Sequence, residues 1–209
     1  MLVAACAQGS VSYTETYTPN TYIPNGNPVG IAFTENISEP GGTTYARYVS
    51  DLTVTLNISG GYNGGLVAYL VAPNGTYVSL LNQPGVTGGN PFGYGGSGLN
   101  ITLADGNRSI QSTYETPGVS FGSGGTYGAD GLLSSVYGSA LDGNWTLFFA
   151  NLSSGGANGE LTSFTLNFTA VPEPVGIALG IFAGLAALSA CLGMCWKKKL
   201  PKHATVHGN

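Results

Sequence analysis

Apolar and polar side chains alternate most strictly over residues 50–59, where Leu52, Val54, Leu56 and Ile58 are interleaved with Thr53, Thr55, Asn57 and Ser59. Successive side chains of a strand point to opposite faces. The pattern therefore predicts an antiparallel strand with one face in a core and one in water. The same phasing recurs along the chain. It groups Val29, Ile31 and Phe33 over residues 28–37, Leu99, Ile101 and Leu103 over 99–104, Trp145, Leu147 and Phe149 over 144–151, and Phe164, Leu166 and Phe168 over 161–171. Residues 66–72 are apolar on both faces and predict a central strand, which Pro73-Asn74-Gly75 turns back as a hairpin into 76–81. Residues 39–42 read as a turn, 82–98 as a glycine-rich loop, 105–140 as a long irregular stretch, and 8–22 as extended chain without an apolar period. Nothing before Val175 carries a useful helical period. About eight strands separated by glycine-rich turns predict an all-β fold, an antiparallel jelly-roll or galactose-binding-like β-sandwich. An immunoglobulin-like sandwich is the alternative, although the Cys…Trp…Cys pattern is missing.

The pattern changes near the C-terminus. Residues 175–196 are 22 apolar or small positions without a charge, closed by Lys197, Lys198 and Lys199. As a helix they would extend about 33 Å, enough for a hydrocarbon core of roughly 30 Å. They predict one C-terminal transmembrane helix, with the lysines holding residues 197–209 in the cytoplasm and residues 1–170 outside it. Val171, Pro172, Glu173 and Pro174 separate helix from sandwich, because proline ends regular structure. At the other end, residues 1–7 read as the remnant of a signal peptide, with cleavage after Ala5-Cys6-Ala7 and the true start expected upstream. Cys6 as a lipidated residue is the alternative. The expected organisation is thus an extended segment over 8–21, a sandwich over 22–170, a motif over 171–174, a membrane helix over 175–196 and a basic tail.

Charge sharpens this division. All ten acidic side chains precede residue 174, where the only basic ones are Arg47 and Arg108, so residues 1–174 carry a formal charge of −8. Lys197, Lys198, Lys199 and Lys202 give the tail +4. A negative domain without a basic patch excludes a nucleic-acid partner. Both histidines, His203 and His207, lie in the tail, and the cysteines are Cys6, Cys191 and Cys195. Ser-His-Asp, Ser-Lys and Cys-nucleophile chemistry therefore cannot be assembled in the sandwich, and no His-rich metal set exists. Paired-carboxylate glycoside hydrolysis remains open by residue type, but no spacing marks a pair. Eight N-x-S/T sequons occur, several inside the strand patterns, where Asn and Thr form polar faces. Phe92, Tyr94, Phe121, Tyr127 and Tyr137 stand in glycine-rich loops and are the candidates for carbohydrate contact, with loop packing the simpler reading.

Val171-Pro172-Glu173-Pro174, one apolar helix and the cluster Lys197-Lys198-Lys199 together resemble the PEP-CTERM sorting tail of Gram-negative bacteria. The extra residues 200–209 depart from it. The resemblance implies a partner, an exosortase-type membrane enzyme that cuts near the motif, and association with extracellular polysaccharide at the cell surface or in the matrix.

A second resemblance covers residues 22–169. Val54-Thr-Leu-Asn-Ile-Ser59, Tyr62-Asn-Gly-Gly-Leu66, Tyr69-Leu-Val-Ala-Pro73-Asn74-Gly75-Thr76, Gly143-Asn-Trp145-Thr-Leu147 and Gly159-x-Leu161-x-x-Phe164-x-Leu166-x-Phe168 look like the P domain, or homo B domain, of subtilisin-like proprotein convertases. The resemblance implies a jelly-roll sandwich that accompanies a separate catalytic domain. Departures concern charge: the family usually has Asp where Gly65 stands, Asp near Asn151 and His near Gly60. Calcium needs several hard oxygens, and Asp105, Asp130, Asp142 and Asn151 are the candidate calcium ligands left; otherwise no cofactor is implied. The chain reads as a non-catalytic, exported surface or matrix protein serving adhesion. An accessory module for a subtilisin-like endopeptidase on another chain is the alternative, and a carbohydrate-active enzyme a third.

Overall fold

The computed structural model describes residues 9–38, 47–112, 121–172, 183–186 and 188. These residues hold ten strands: β1 (Val11–Tyr17), β2 (Thr21–Ile23), β3 (Asn27–Ile37), β4 (Arg47–Gly60), β5 (Leu66–Val71), β6 (Tyr77–Asn82), β7 (Leu99–Leu103), β8 (Thr126–Tyr127), β9 (Gly143–Asn151) and β10 (Gly159–Pro172). They form two sheets. One runs β1-β10-β4-β7-β8, with β2 also on β10, and the other runs β3-β9-β5-β6. Only β7 and β8 pair in parallel. From β3 to β10 the chain passes repeatedly from one sheet to the other, so each sheet interleaves strands distant in sequence.

One core joins the inner faces. Leu52, Val54, Leu56 and Ile58 are buried, as their phase requires, with Leu66, Leu70, Trp145, Leu147, Phe149, Phe164, Leu166 and Phe168. Contact between sheets is direct: Trp145 on β9 meets Phe168 on β10 with ring centroids 4.9 Å apart, and Phe33 on β3 meets Phe164 at 6.2 Å. The polar positions make cross-strand ladders instead. Thr16, Thr165, Thr55, Thr102 and Thr126 stand in register across five strands, with hydroxyls bonded at 2.9 Å in the outer pair Thr16–Thr165 and in Thr55–Thr102. Asn36 donates to Asn144 at 2.8 Å and Asn57 to Ser163 at 2.9 Å. Sequon asparagines within the strands therefore serve as ladder partners, each such pair adding a few tenths of a kcal/mol.

Four expectations change. Residues 11–23 are not merely extended: β1 and β2 pair with β10, and Tyr17 stacks on Phe164 at 4.9 Å. Thr and Tyr suit a half-buried edge strand, but Glu15 occupies one of its inward positions and interrupts the apolar signal. Val29 is 80% exposed rather than in the core. Gly30, at φ +62°, makes a register shift that breaks the alternation with Ile31 and Phe33. The irregular stretch 105–140 holds β8 and short 3₁₀ turns at Phe121–Ser123 and Leu133–Val136. Finally, β10 continues into the proline motif, with Val171 opposite Tyr48 and Pro172 opposite Arg47. Proline fits at a strand end, where a missing N–H costs little. Most of the expected membrane span 175–196, together with Glu173, Pro174, Lys197, Lys198, Lys199 and the segment 1–7, lies outside the described residues. Among the described residues no helix is long and apolar enough to cross a membrane.

Candidate functional site

Three loops close one end of the fold around Gly65 and Asn151. The short turn Asn63–Gly65 precedes β5, and Asn151 ends β9. Asn151 is fully buried. Its Nδ2 donates to Asn25 Oδ1 at 2.7 Å and its Oδ1 accepts from the Ser153 amide at 3.0 Å. Backbone bonds tie the same loops: Leu152 N–H to the Gly65 carbonyl at 2.8 Å and Gly26 N–H to the Ser153 carbonyl at 2.8 Å. A Cβ on Gly65 would lie 2.2 Å from Asn151 Oδ1 and 2.7 Å from Ser153 Cβ. The two positions at which the family resemblance expects acids are thus neighbours in space. Here they form a neutral amide latch with no room for a side chain at 65.

The four candidate calcium ligands are not brought together. Asp105 caps the turn at Leu133–Val136, accepting from the amides of Leu133 and Ser134 at 2.8 Å each. Asp130 is exposed beyond β8, and Asp142 is exposed just before β9. Asp142 and Asn151 bracket β9, nine residues apart and so separated by roughly 30 Å along an extended strand, too far to share an ion. Among the described residues no three acidic, histidine or cysteine side chains cluster as metal ligands. Asn151 has both amide groups engaged, and Asp105 both carboxylate oxygens. Asp105 and Asn151 spend their oxygens on local hydrogen bonds and Asp142 stands a strand's length from Asn151, so the four do not form one set of calcium ligands.

The loop aromatics divide. Tyr94 (7% exposed) and Phe121 (1%) are in the core, with centroids 5.7 Å apart, and Tyr127 packs edge-on to Phe121 at 5.2 Å. These three pin the loops to the sandwich, so the simpler reading of loop packing holds for them. Phe92 is 75% exposed. Tyr137 donates to Asp51 at 2.7 Å. Burial, followed by that bond to a carboxylate, pushes the Tyr137 phenol up to about 12. Tyr13 is likewise raised to about 12, first by its hydrogen bond to Glu15, and Tyr17 to about 12 by burial. A phenol with a folded pKa above its unfolded one adds stability that is whole below about pH 10. That stability is lost as pH rises towards 12. Phenolate absorbance is therefore expected to show three tyrosines titrating late, with melting temperature falling across pH 10–12. Uniform titration of all tyrosines near 10 while the fold persists would contradict this.

A different aromatic group lies away from the loops. On the outer face of the second sheet Tyr69, Phe148 and Tyr77 come from three adjacent strands, β5, β9 and β6. Tyr69 and Phe148 stack at 4.4 Å and 16°, and Tyr77 meets Tyr69 at 6.4 Å and 72°. β5 is central, as expected, yet its outer face is only half covered. The available signal was one aromatic at an outward position of each of three strands, Tyr69 on β5, Tyr77 on β6 and Phe148 on β9.

Residues 49–168, from β4 into β10, match the Proprotein convertase P-domain family. The chain belongs to that family. Strands β1 to β3 lie outside the matched part of this P domain but complete its two sheets. No curated protein matches. Among solved structures, the chain is similar to the Aeromonas sobria serine protease in complex with its chaperone, at 16% identity and TM-score 0.49 over 78% of this chain and 27% of that one. The same protease alone gives 14%, 0.46, 78% and 27%. The infectious bursal disease virus Gx strain structure gives 13% identity and TM-score 0.30 over 82% of this chain and 43% of that one. The P-domain chain thus spans about a quarter of the length of the protease it resembles.

Proposed function

We propose that this P domain is a non-catalytic accessory module for a subtilisin-like serine endopeptidase domain. The observation that carries this reading is the family match over residues 49–168, in a domain whose sequence holds no histidine, lysine or cysteine between residues 8 and 174. Such a module can supply packing surface but no nucleophile–base pair. The test is a subtilisin-type endopeptidase of the same organism, produced without a P domain and heated with or without the full chain. The expected result is a half-life of activity several-fold longer with the chain present. An unchanged half-life overturns the accessory reading. Turnover of peptide or glycoside substrates by the chain alone, abolished by one acid-to-amide change, overturns the non-catalytic one.

A second reading is favoured by the tail sequence. Val171-Pro172-Glu173-Pro174, the apolar run 175–196 and Lys197-Lys198-Lys199 support export, temporary anchoring by a membrane helix and processing by an exosortase-type enzyme, leaving a jelly-roll module at the cell surface or in the matrix. Since Val171 and Pro172 belong to β10, cleavage would fall directly at the edge of the sandwich. Mass spectrometry of the mature C-terminus tests this: a truncated end near residue 174 is expected, and a membrane-retained, intact segment 196–209 overturns it.

A further inference from the structure

We propose that the outer face of the β3-β9-β5-β6 sheet binds a neutral hexopyranose polymer. The face is read from the strand register. Ala32, Phe148, Tyr69 and Ser79 stand in one row across the four strands, and Thr34, Thr146, Val71 and Tyr77 in the next. Asn36 and Asn144 form a third, shorter row on β3 and β9. Not one of these side chains is charged.

The two components of sugar recognition lie side by side on this face. A pyranose ring has faces of C–H bonds, which pack on aromatic rings, and a rim of hydroxyls, which must keep hydrogen-bond partners when water leaves. Tyr77 is 69% exposed and stands at 72° to Tyr69, so the two rings make an open corner rather than a closed cluster. Phe148 carries the apolar surface on to the edge strand. A Cβ on Gly30 would fall 2.6 Å from Phe148 Cζ, so the ring lies over that glycine's backbone. Beside the rings, the Thr34 and Thr146 hydroxyls bond at 2.8 Å and Asn36 Nδ2 donates to Asn144 Oδ1 at 2.8 Å. Both amides are exposed, and that bond uses only the Asn36 Nδ2 and the Asn144 Oδ1, so each amide has a second polar group to offer a hydroxyl rim.

Charge selects the class of polymer. A formal −8 over residues 1–174 repels anionic chains, whereas the face offers a neutral chain neither a buried charge nor an unpaired one. Four strands span about 14 Å, room for a few sugar units, so a single site is weak and a repeating polymer gains by avidity. The proposal moves carbohydrate contact from the loop aromatics, of which Tyr94 and Phe121 are buried, to the sheet. It rests on neither the protease nor the sorting reading.

Affinity electrophoresis of the full chain in mild detergent tests it, in gels containing hydroxyethylcellulose, soluble starch or, as the anionic comparison, alginate. Retardation is expected in a neutral gel and not in alginate. Tyr77→Ala and Tyr69→Ala should weaken it about tenfold or more, Tyr77→Phe should retain most of it, and Thr16→Val on the other sheet should leave it unchanged. Tyr77 is exposed, so its alanine variant should melt as the parent does, and the melt is recorded alongside. No retardation in either neutral gel overturns the proposal, as does a folded Tyr77→Ala chain that runs like the parent. If Tyr77→Ala abolishes association with an endopeptidase while no glycan retards the parent, the face is a protein interface and the proposal is wrong.

Discussion

Trp145→Ala is expected to remove about 4 kcal/mol of folding stability. Trp145 is 1% exposed. Its indole meets Phe168 across the two sheets at 4.9 Å, and its Nε1 donates to the Leu141 carbonyl at 3.0 Å. Truncation therefore opens a cavity where the sheets join and leaves a buried carbonyl without its donor, and the two losses add. A domain of this size has roughly 5–15 kcal/mol in total. Residues 9–172 contain no cysteine, so no disulfide within the sandwich offsets the loss. The denaturant midpoint should fall steeply with an unchanged slope. Trp145→Phe, which keeps most of the volume, should lose less than half as much. A midpoint shift in Trp145→Ala worth under about 1 kcal/mol would show that the sheets close over the gap.

Gly65→Asp, which installs the residue the P-domain resemblance expects, should destabilise by about 3 kcal/mol. Its Cβ would stand 2.2 Å from Asn151 Oδ1, so Asn151 must move. That movement breaks the bonds to Asn25 and Ser153 together, and the new carboxylate finds no cation among the groups on this loop. Asn151→Asp should also destabilise, because it sets a carboxylate against the Asn25 Oδ1 that now accepts. Thermal melts with and without added calcium check both variants. A Gly65→Asp chain that melts like the parent, or that calcium restores, would refute the neutral latch.

Much of the fold was legible because burial enforces period. β4 is 14 residues long, and its alternating Leu52, Val54, Leu56 and Ile58 had only one face on which to reach a core. The same holds for Trp145, Leu147 and Phe149 and for Phe164, Leu166 and Phe168, each phase recovered in the core. The hairpin from β5 to β6 was legible because Pro73-Asn74-Gly75 is turn chemistry, with Asn74 Oδ1 accepting from Thr76 N–H at 2.9 Å. Val29 was misplaced because a single positive φ at Gly30 shifts the register, which no alternation rule can see. β1 was missed because an edge strand needs only its partner, β10, some 150 positions away.

The site was less legible than the fold. Candidate ligands near one another in the sequence diverge in space, since Asp142 and Asn151 end opposite sides of one strand, while Gly65 and Asn151 converge from distant loops. Loop aromatics and sheet aromatics have the same composition. Which are buried depends on the path of loops whose glycines leave many paths open, and that path puts Tyr94 and Phe121 inside and Tyr77 outside.

By itself the sequence determined the all-β class, the inward faces of Leu52–Ile58, Trp145–Phe149 and Phe164–Phe168, the lack of histidine, lysine and cysteine between residues 8 and 174 and the opposed charges of domain and tail, because these follow from residue type and local period alone. The tertiary structure decided strand pairing, the neutral latch at Gly65 and Asn151, the capping role of Asp105 and the aromatic face at Tyr69, Tyr77 and Phe148. Each of these depends on which distant segments meet, and that is set by how the two sheets bury their inner faces against each other.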